Sequence, residues 1–393
     1  MSKLIKIFAF FGLFFLVISS CKKDEIEIPL IPEVADTTGE SRYKCKTTAY
    51  NLTQPDYFPP FPTPILNIEM TEERIALGRK LFYETKLSGD NTMSCASCHN
   101  QKDAFTDNKR RLSIGIDRRS GTKNSMALFN LAYSPAFFWD GRSPTLQKQA
   151  IDPILDPVEM HETWKNAIIK LKGEEDYNRM FYEAFCTADY DSTHAARAIA
   201  QFELTLISGN STYDKAVDRT GNNPNIGPQF GPGEEQISRG FRIFNGEVSG
   251  NGGGGDCFHC HSTDNMLFTN NDFMNNGLDD NPSPGFFNVT RNEINRGQFK
   301  VPTLRNVEHT GPYMHDGRFA TLEEVVEFYN SGVRANSKNI EPIMVFGDTI
   351  NGTGSGIAGG LNLTSQEKAD LVAFLKALSD PDFLTNKDFS DPN

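Results

Sequence analysis

Two cysteine pairs, each closed by a histidine, carry the densest chemistry in the sequence. Cys95-Ala-Ser-Cys98-His99 and Cys257-Phe-His-Cys260-His261 share the pattern C-x-x-C-H. Thiols three residues apart can add to the two vinyl groups on one haem edge. The next residue then lies under the iron, where its imidazole is the proximal ligand. A thioredoxin-like dithiol needs a βαβ setting, and neither pair has one. A zinc ribbon keeps its pairs within about 20 residues of each other, and these pairs lie far apart in the chain. The motifs therefore predict two covalent haem c groups on Cys95, Cys98, Cys257 and Cys260, with His99 and His261 on the irons. His259 reads as a spacer.

The elements that position these motifs repeat. At an offset of 162 residues, Glu72-Glu73, Ile75, Gly78 and Phe82 meet Glu234-Glu235, Ile237, Gly240 and Phe244, and the haem motifs superpose. At an offset of 176, Leu128, Asn130, Asp140-Gly141-Arg142 and Thr145-Leu146 meet Leu304, Asn306, Asp316-Gly317-Arg318 and Thr321-Leu322. One domain is duplicated, with about fourteen residues inserted in the second copy. The Gly/Asn/Pro stretch from Gly221 to Gly233 marks the boundary, giving an N-terminal haem domain over 67–226 and a C-terminal one over 227–393. Regular structure is expected from Thr71, an N-cap followed by acidic residues. Further helices are expected over Asp191–Leu206, Thr321–Tyr329 and Ser365–Leu378, the last with Leu371, Phe374, Leu375 and Leu378 on one face. Period-two patterns are scarce. The expected fold is mainly α: two tandem cytochrome c-like domains from an internal duplication, with long irregular loops.

The 393 residues, 38% hydrophobic and 23% charged, suit a folded two-domain chain. A net charge of −12 argues against nucleic acid as a partner, because its phosphates would repel the chain. Lys3 and Lys6 precede an apolar run from Ile7 to Ile18, too short to span a bilayer, so residues 1–20 read as a signal peptide. Ile18-Ser19-Ser20-Cys21 resembles a lipobox, which implies lipidation of Cys21 and a membrane anchor in a Gram-negative envelope, on its periplasmic side or at the cell surface. Lys22-Lys23-Asp24-Glu25 resembles a surface-export tag, although such runs are more often solvated linker. Residues 21–66, with Pro55, Pro59, Pro60, Pro62 and Pro64, read as a flexible tether. Cys45 and Cys186 are either a disulfide pinning that tether or two unrelated thiols.

Together with the two haem motifs, several stretches resemble the bacterial dihaem cytochrome c peroxidases and their relative MauG. They are Leu87-Ser-Gly-Asp90, Ala104-Phe-Thr-Asp107, Phe138-Trp139-Asp140-Gly141-Arg142, Val301-Pro-Thr-Leu-Arg-Asn306 and His315-Asp316-Gly317-Arg318. The resemblance runs from about Thr71 to Leu378. It implies that the N-terminal haem reacts with hydrogen peroxide and the C-terminal haem feeds it electrons from a small cytochrome c or cupredoxin. Peroxide cleavage needs a proton moved to the departing oxygen, so that water leaves and not hydroxide. Gln149, Pro153 and Glu159 match the family's distal residues: Glu159 as general acid/base, its pKa raised by a dry pocket, and Gln149 orienting peroxide. Trp139 matches a tryptophan lying between the haems, where an oxidisable indole can relay electrons. Phe138 reads as packing and Trp164 as core. Asn124, Thr310 and Pro312 match an oxygen-only calcium site. Such proteins often form homodimers, but no interface is legible here.

Two departures from the peroxidase pattern matter. Many members plug the N-terminal iron with a histidine about sixteen residues after the proximal one. Here Gly115-Ile116-Asp117 holds that place, so the N-terminal haem is expected to be open when oxidised, and peroxide should change its spectrum at once. Peroxidases also place a Met fourteen residues after the His-Asp-Gly histidine, and counting from His315 reaches Tyr329. A Tyr there resembles MauG, where it ligates iron. Phenolate is a hard donor that lowers the potential, whereas thioether raises it. Met314 and Met344 are the alternatives. His161, His194 and His309 follow no ligand spacing, and His315 bonds either a propionate or backbone. Three functions follow: a peroxidase, a MauG-like peroxide-dependent oxidase of a protein or organic substrate, and a non-catalytic dihaem carrier or sensor. Gln149 and Glu159 argue against the last, since a carrier needs no proton shuttle.

Overall fold

The structure, a computed structural model, describes residues 43–392 apart from 108, 222, 224–225, 249–252 and 347–355. The expected signal peptide and Cys21 lie outside the described residues. In chain order the helices are α1 Thr63–Leu66, α2 Glu72–Phe82, α3 Leu146–Leu155, α4 Trp164–Lys172, α5 Glu175–Phe185, α6 Ser192–Leu204 and α7 Thr212–Asp218. They continue as α8 Glu235–Phe244, α9 Phe287–Thr290, α10 Leu322–Glu327, α11 Pro342–Phe346, α12 Ser365–Lys376 and α13 Pro381–Thr385. Among the described residues the sheet is confined to one antiparallel pair, β1 Phe273–Met274 and β2 Phe299–Lys300, with Phe273 opposite Lys300. The expected mainly α class is what the structure has.

Helix starts follow local chemistry. The Thr71 hydroxyl accepts from Arg74 N at the head of α2, Asp191 caps α6, and Thr321 and Thr364 close capping boxes on α10 and α12. Two helix pairs form the frame: α2 packs on α6, and α8 on α12. Each crossing needs a glycine. A Cβ on Gly78 would sit 1.9 Å from Ala198 O, and one on Gly240 2.0 Å from Asp370 O. Backbone strain also echoes between the halves. Asn130 and Asn306 have φ of 54° and 53°, and Phe138 and Met314 have 66° and 72°.

Three features depart from the sequence reading. Residues 43–66 are not a free tether. Cys45 and Cys186 form a disulfide, Ala49 bridges Thr71, the Tyr57 hydroxyl donates to Gly209 O, and Phe58 and Phe61 are 4% and 9% exposed. The aromatic residues among the prolines supplied enough apolar surface to bury the segment. Regular structure therefore begins at α1, before Thr71. Next, α7 lies before the expected domain boundary yet packs into the second half: Tyr213 meets Phe241, Phe268 and Phe374. There Asp214 accepts two 2.8 Å bonds from Arg305, both side chains at 0% exposure. Finally, the C-terminal residues return to the first half. Phe383 packs on Phe105 and Phe129, Gln101 donates to Phe383 O and Asn386 O, and Arg79 donates to Ser390 O. The larger hydrophobic core accordingly runs through both halves, from Phe82 and Phe202 to Phe244 and Phe374. Trp164 is core, as expected, at 8% exposure with its Nε1–H on Ile151 O.

Candidate active site

Each haem motif is a short 3-10 turn, Cys95–Ser97 and Cys257–His259, that leaves its histidine at the end. The loop after each motif then turns back to offer a carbonyl. His99 Nδ1 lies 2.8 Å from Phe105 O, and His261 Nδ1 lies 3.1 Å from Phe268 O. A carbonyl can only accept, so Nδ1 carries the proton and Nε2 keeps a lone pair for a metal. Burial lowers the pKa of both rings, that of His261 to about 4, so the imidazoles are neutral. Cys95, Cys98, Cys257 and Cys260 take part in no disulfide. The donor set thus fits two haem c groups: paired thiols, a neutral imidazole oriented by a carbonyl, and space. Both histidines line one continuous cavity of about 860 Å³.

The first half contributes the proposed peroxide chemistry. Gln149 and Pro153 lie one turn apart on α3 and line the cavity, while Ala150 and Ile154 are buried on the rest of the helix. Gln149 Oε1 is buried without a hydrogen-bond partner in the protein, an acceptor left for something that enters the cavity. Glu159 follows α3 and also lines the cavity. Burial pushes its pKa up to about 6; Asp156 and Asp152 add to that and Arg142 opposes it. The loop that lacks a distal histidine is clamped to the same segment. Ile116 N donates to Glu159 O at 3.0 Å, a Cβ on Gly115 would meet Val158 O at 2.1 Å, and His161 pairs with Asp117 at 2.6 Å.

Trp139 lines the cavity, with its Nε1–H on Asn124 O at 2.8 Å. Phe138 does more than pack: the Arg142 guanidinium lies 3.4 Å from its ring centre. Asn124, Thr310 and Pro312 line the same cavity, and the Asn124 amide nitrogen is occupied by Arg110 O and Arg111 O.

In the second half Tyr329 sits in a π-turn, Phe328–Gly332, that follows α10 and turns its side chain to the cavity. Its hydroxyl accepts from Asn276 Nδ2 at 3.0 Å, and burial raises its pKa. Met314 Sδ lies 3.6 Å from the same nitrogen. Met344 is buried but is not part of the cavity wall. His315 lines the cavity, stacked 3.7 Å from Phe299 with its Nε2 near Ser283 Oγ. His194 caps α6, His309 stands outside the cavity, and His259 bonds Asp256. Two groups escaped the sequence reading. Glu203 is a 3% exposed carboxyl on α6 whose Oε2 has no hydrogen-bond partner and whose charge reaches Cys95; a lone acid within the apolar run Ala198–Leu206 was its signal. Lys300 is a buried ammonium at the end of β2, for which no sequence signal stood out.

Residues 72–222 match the model of the family described as di-haem cytochrome c peroxidase. The methylamine utilization protein MauG of Methylorubrum extorquens is 31% identical to this protein, over 81% of each chain. The chain belongs to the dihaem cytochrome c peroxidase family. A second member, cytochrome c551 peroxidase of Nitrosomonas europaea, is 34% identical over 73% of this chain and 81% of that protein. A MauG-like protein associated with microbial copper homeostasis superposes with a TM-score of 0.72 at 32% identity, covering 88% of this chain and 99% of the other. The resemblance stated from the motifs is thereby borne out. As a dihaem cytochrome c peroxidase family member the protein is an oxidoreductase, and haem c is the cofactor class that membership implies.

Proposed function

We propose that the protein is an exported dihaem peroxidase that reduces hydrogen peroxide to water with electrons from a small cytochrome c or cupredoxin. The observation that carries this reading is one cavity holding both proximal histidines together with Gln149, Glu159 and Trp139. The haems, when bound, supply the iron that takes the oxidant and the second iron that passes electrons. The rest is this chain's work. Gln149 Oε1, free of protein partners, orients peroxide by accepting its hydrogen. Glu159, poised near pH 6, takes one peroxide proton and returns it to the departing oxygen. Trp139 relays electrons, and the clamp of residues 115–117 on Glu159's segment keeps that side free of a competing ligand. The two-copy origin, with a boundary near 226/227, is our inference from the paired glycines and the paired positive-φ residues.

Steady-state turnover of hydrogen peroxide with reduced cytochrome c tests the assignment. Rapid turnover supports it, and a haem-loaded protein that leaves peroxide untouched refutes it. A second reading, a MauG-like oxidase of a protein or organic substrate, is favoured by Tyr329 at the cavity wall. Phenolate ligation by Tyr329 would lower that haem's potential. Tyr329→Phe should abolish its ligation band in the oxidised spectrum; an unchanged spectrum leaves Met314, beside it on Asn276, as the ligand. Calcium on Asn124 and the Thr310 and Pro312 carbonyls, lipidation of Cys21, envelope anchoring and homodimer formation complete the proposal. Chelator-sensitive spectra and globomycin-sensitive processing test the first two.

A further inference from the structure

Lys300 places an ammonium ion where the described residues offer no counter-charge. The residue is 8% exposed and lines the cavity shared by His99 and His261. Its Nζ donates to Ala136 O at 2.9 Å and to Ser134 Oγ, and lies 5.8 Å from the Phe137 ring centre. These are neutral partners. Among the described residues no carboxylate lies within the 4.0 Å of an ion pair. Two acceptors fix the ammonium's direction but do not neutralise it, and burial pulls its pKa down to about 8. Buried charges are kept only when paired. A lone cation on the wall of a cavity therefore assigns the anion to whatever fills the cavity. Two C-x-x-C-H motifs open onto it, and a haem brings propionate carboxylates of the right charge.

We infer that Lys300 anchors a haem propionate, and that this ion pair holds up the reduction potential of the haem it binds. The inference rests on the dihaem reading. A fixed positive charge beside a propionate offsets negative charge that would otherwise favour the ferric state. The same residue reaches the proposed relay: Lys300 N donates to Trp139 O at 2.9 Å. Seating of the haem and placement of Trp139 thus share one residue, held between β1 and the 134–137 segment.

The haem-loaded full chain would be compared with its Lys300→Met and Lys300→Arg variants by spectroelectrochemical titration, with haem counted by pyridine haemochrome. Lys300→Met should lower the midpoint of one haem and leave the other in place, and Lys300→Arg should restore it. Two haems per chain with both midpoints unmoved in Lys300→Met would overturn the inference alone. Fewer than two haems in the parent protein would overturn the dihaem reading with it. Should Lys300→Met fail to fold, a crystal structure of the loaded parent decides: a propionate oxygen within about 4 Å of Nζ supports the anchor, and Nζ facing no propionate refutes it.

Discussion

At the scale of single residues, two carboxyls sit in similar environments and do different things. Glu159 stands at the cavity wall with a pKa near 6, where a proton can come and go at neutral pH. If it accepts the first peroxide proton, kcat/KM should rise through about pH 6 and level off above. Glu159→Gln should cut turnover by about 10²–10⁴-fold and remove that limb of the profile. A full profile in the variant would refute the role. Glu203 lies deeper, and burial alone pushes it to about 8. Its folded pKa is raised, so its contribution to stability is complete below the unfolded carboxyl pKa and is lost as pH rises through about 8. Glu203→Gln should therefore melt above the parent at pH 8, with the gap closing toward pH 5. A gap that does not change with pH would contradict this. The two haem motifs were legible in the sequence because covalent attachment fixes their spacing, whereas Glu159 and Trp139 were singled out only through the resemblance to the dihaem peroxidases. Lys300 was not, because its meaning lies in an absent counter-charge, and absence is visible only once the neighbours are folded around it.

At the scale of elements, capping and periodicity reported the helices well: α2 starts after the Thr71 cap, and α6, α10 and α12 start at or one residue after the expected Asp191, Thr321 and Ser365. The proline-rich segment misled because proline counts say how a chain bends, not whether Phe58 and Phe61 find a core. The placement of α7 was also hidden, since its anchor is a partner ninety-one positions away. Burial would raise the Asp214 carboxyl, but Arg305 and Ser211 more than offset this and hold it below the usual range. That stability is present above the unfolded carboxyl pKa and is lost as pH falls through the depressed one. Asp214→Asn leaves a buried guanidinium unpaired and should cost about 3–5 kcal/mol in denaturant unfolding. A loss below about 1 kcal/mol would show that the pair is not what fastens α7.

At the scale of the whole molecule, repetition in the sequence led to the expectation of two similar units, and the packing ties the two halves of the chain together. A common core crosses from Phe202 to Phe374, and one cavity serves both proximal histidines. Neither could be read from the repeat, which describes each unit as if alone. Joint burial also makes unfolding a shared event: denaturant melting followed at the two haem Soret bands should give one coincident transition. Two separated transitions would mean that the halves melt independently.

The segment from Phe383 to Ser390 lies over the turn that follows Cys98 and over the end of α2. The packing of the first half is therefore complete only once these distant residues have docked on it. A chain ending at Leu378 should still acquire porphyrin on Cys95 and Cys98 yet be cut by trypsin near Arg79 far sooner than the full chain.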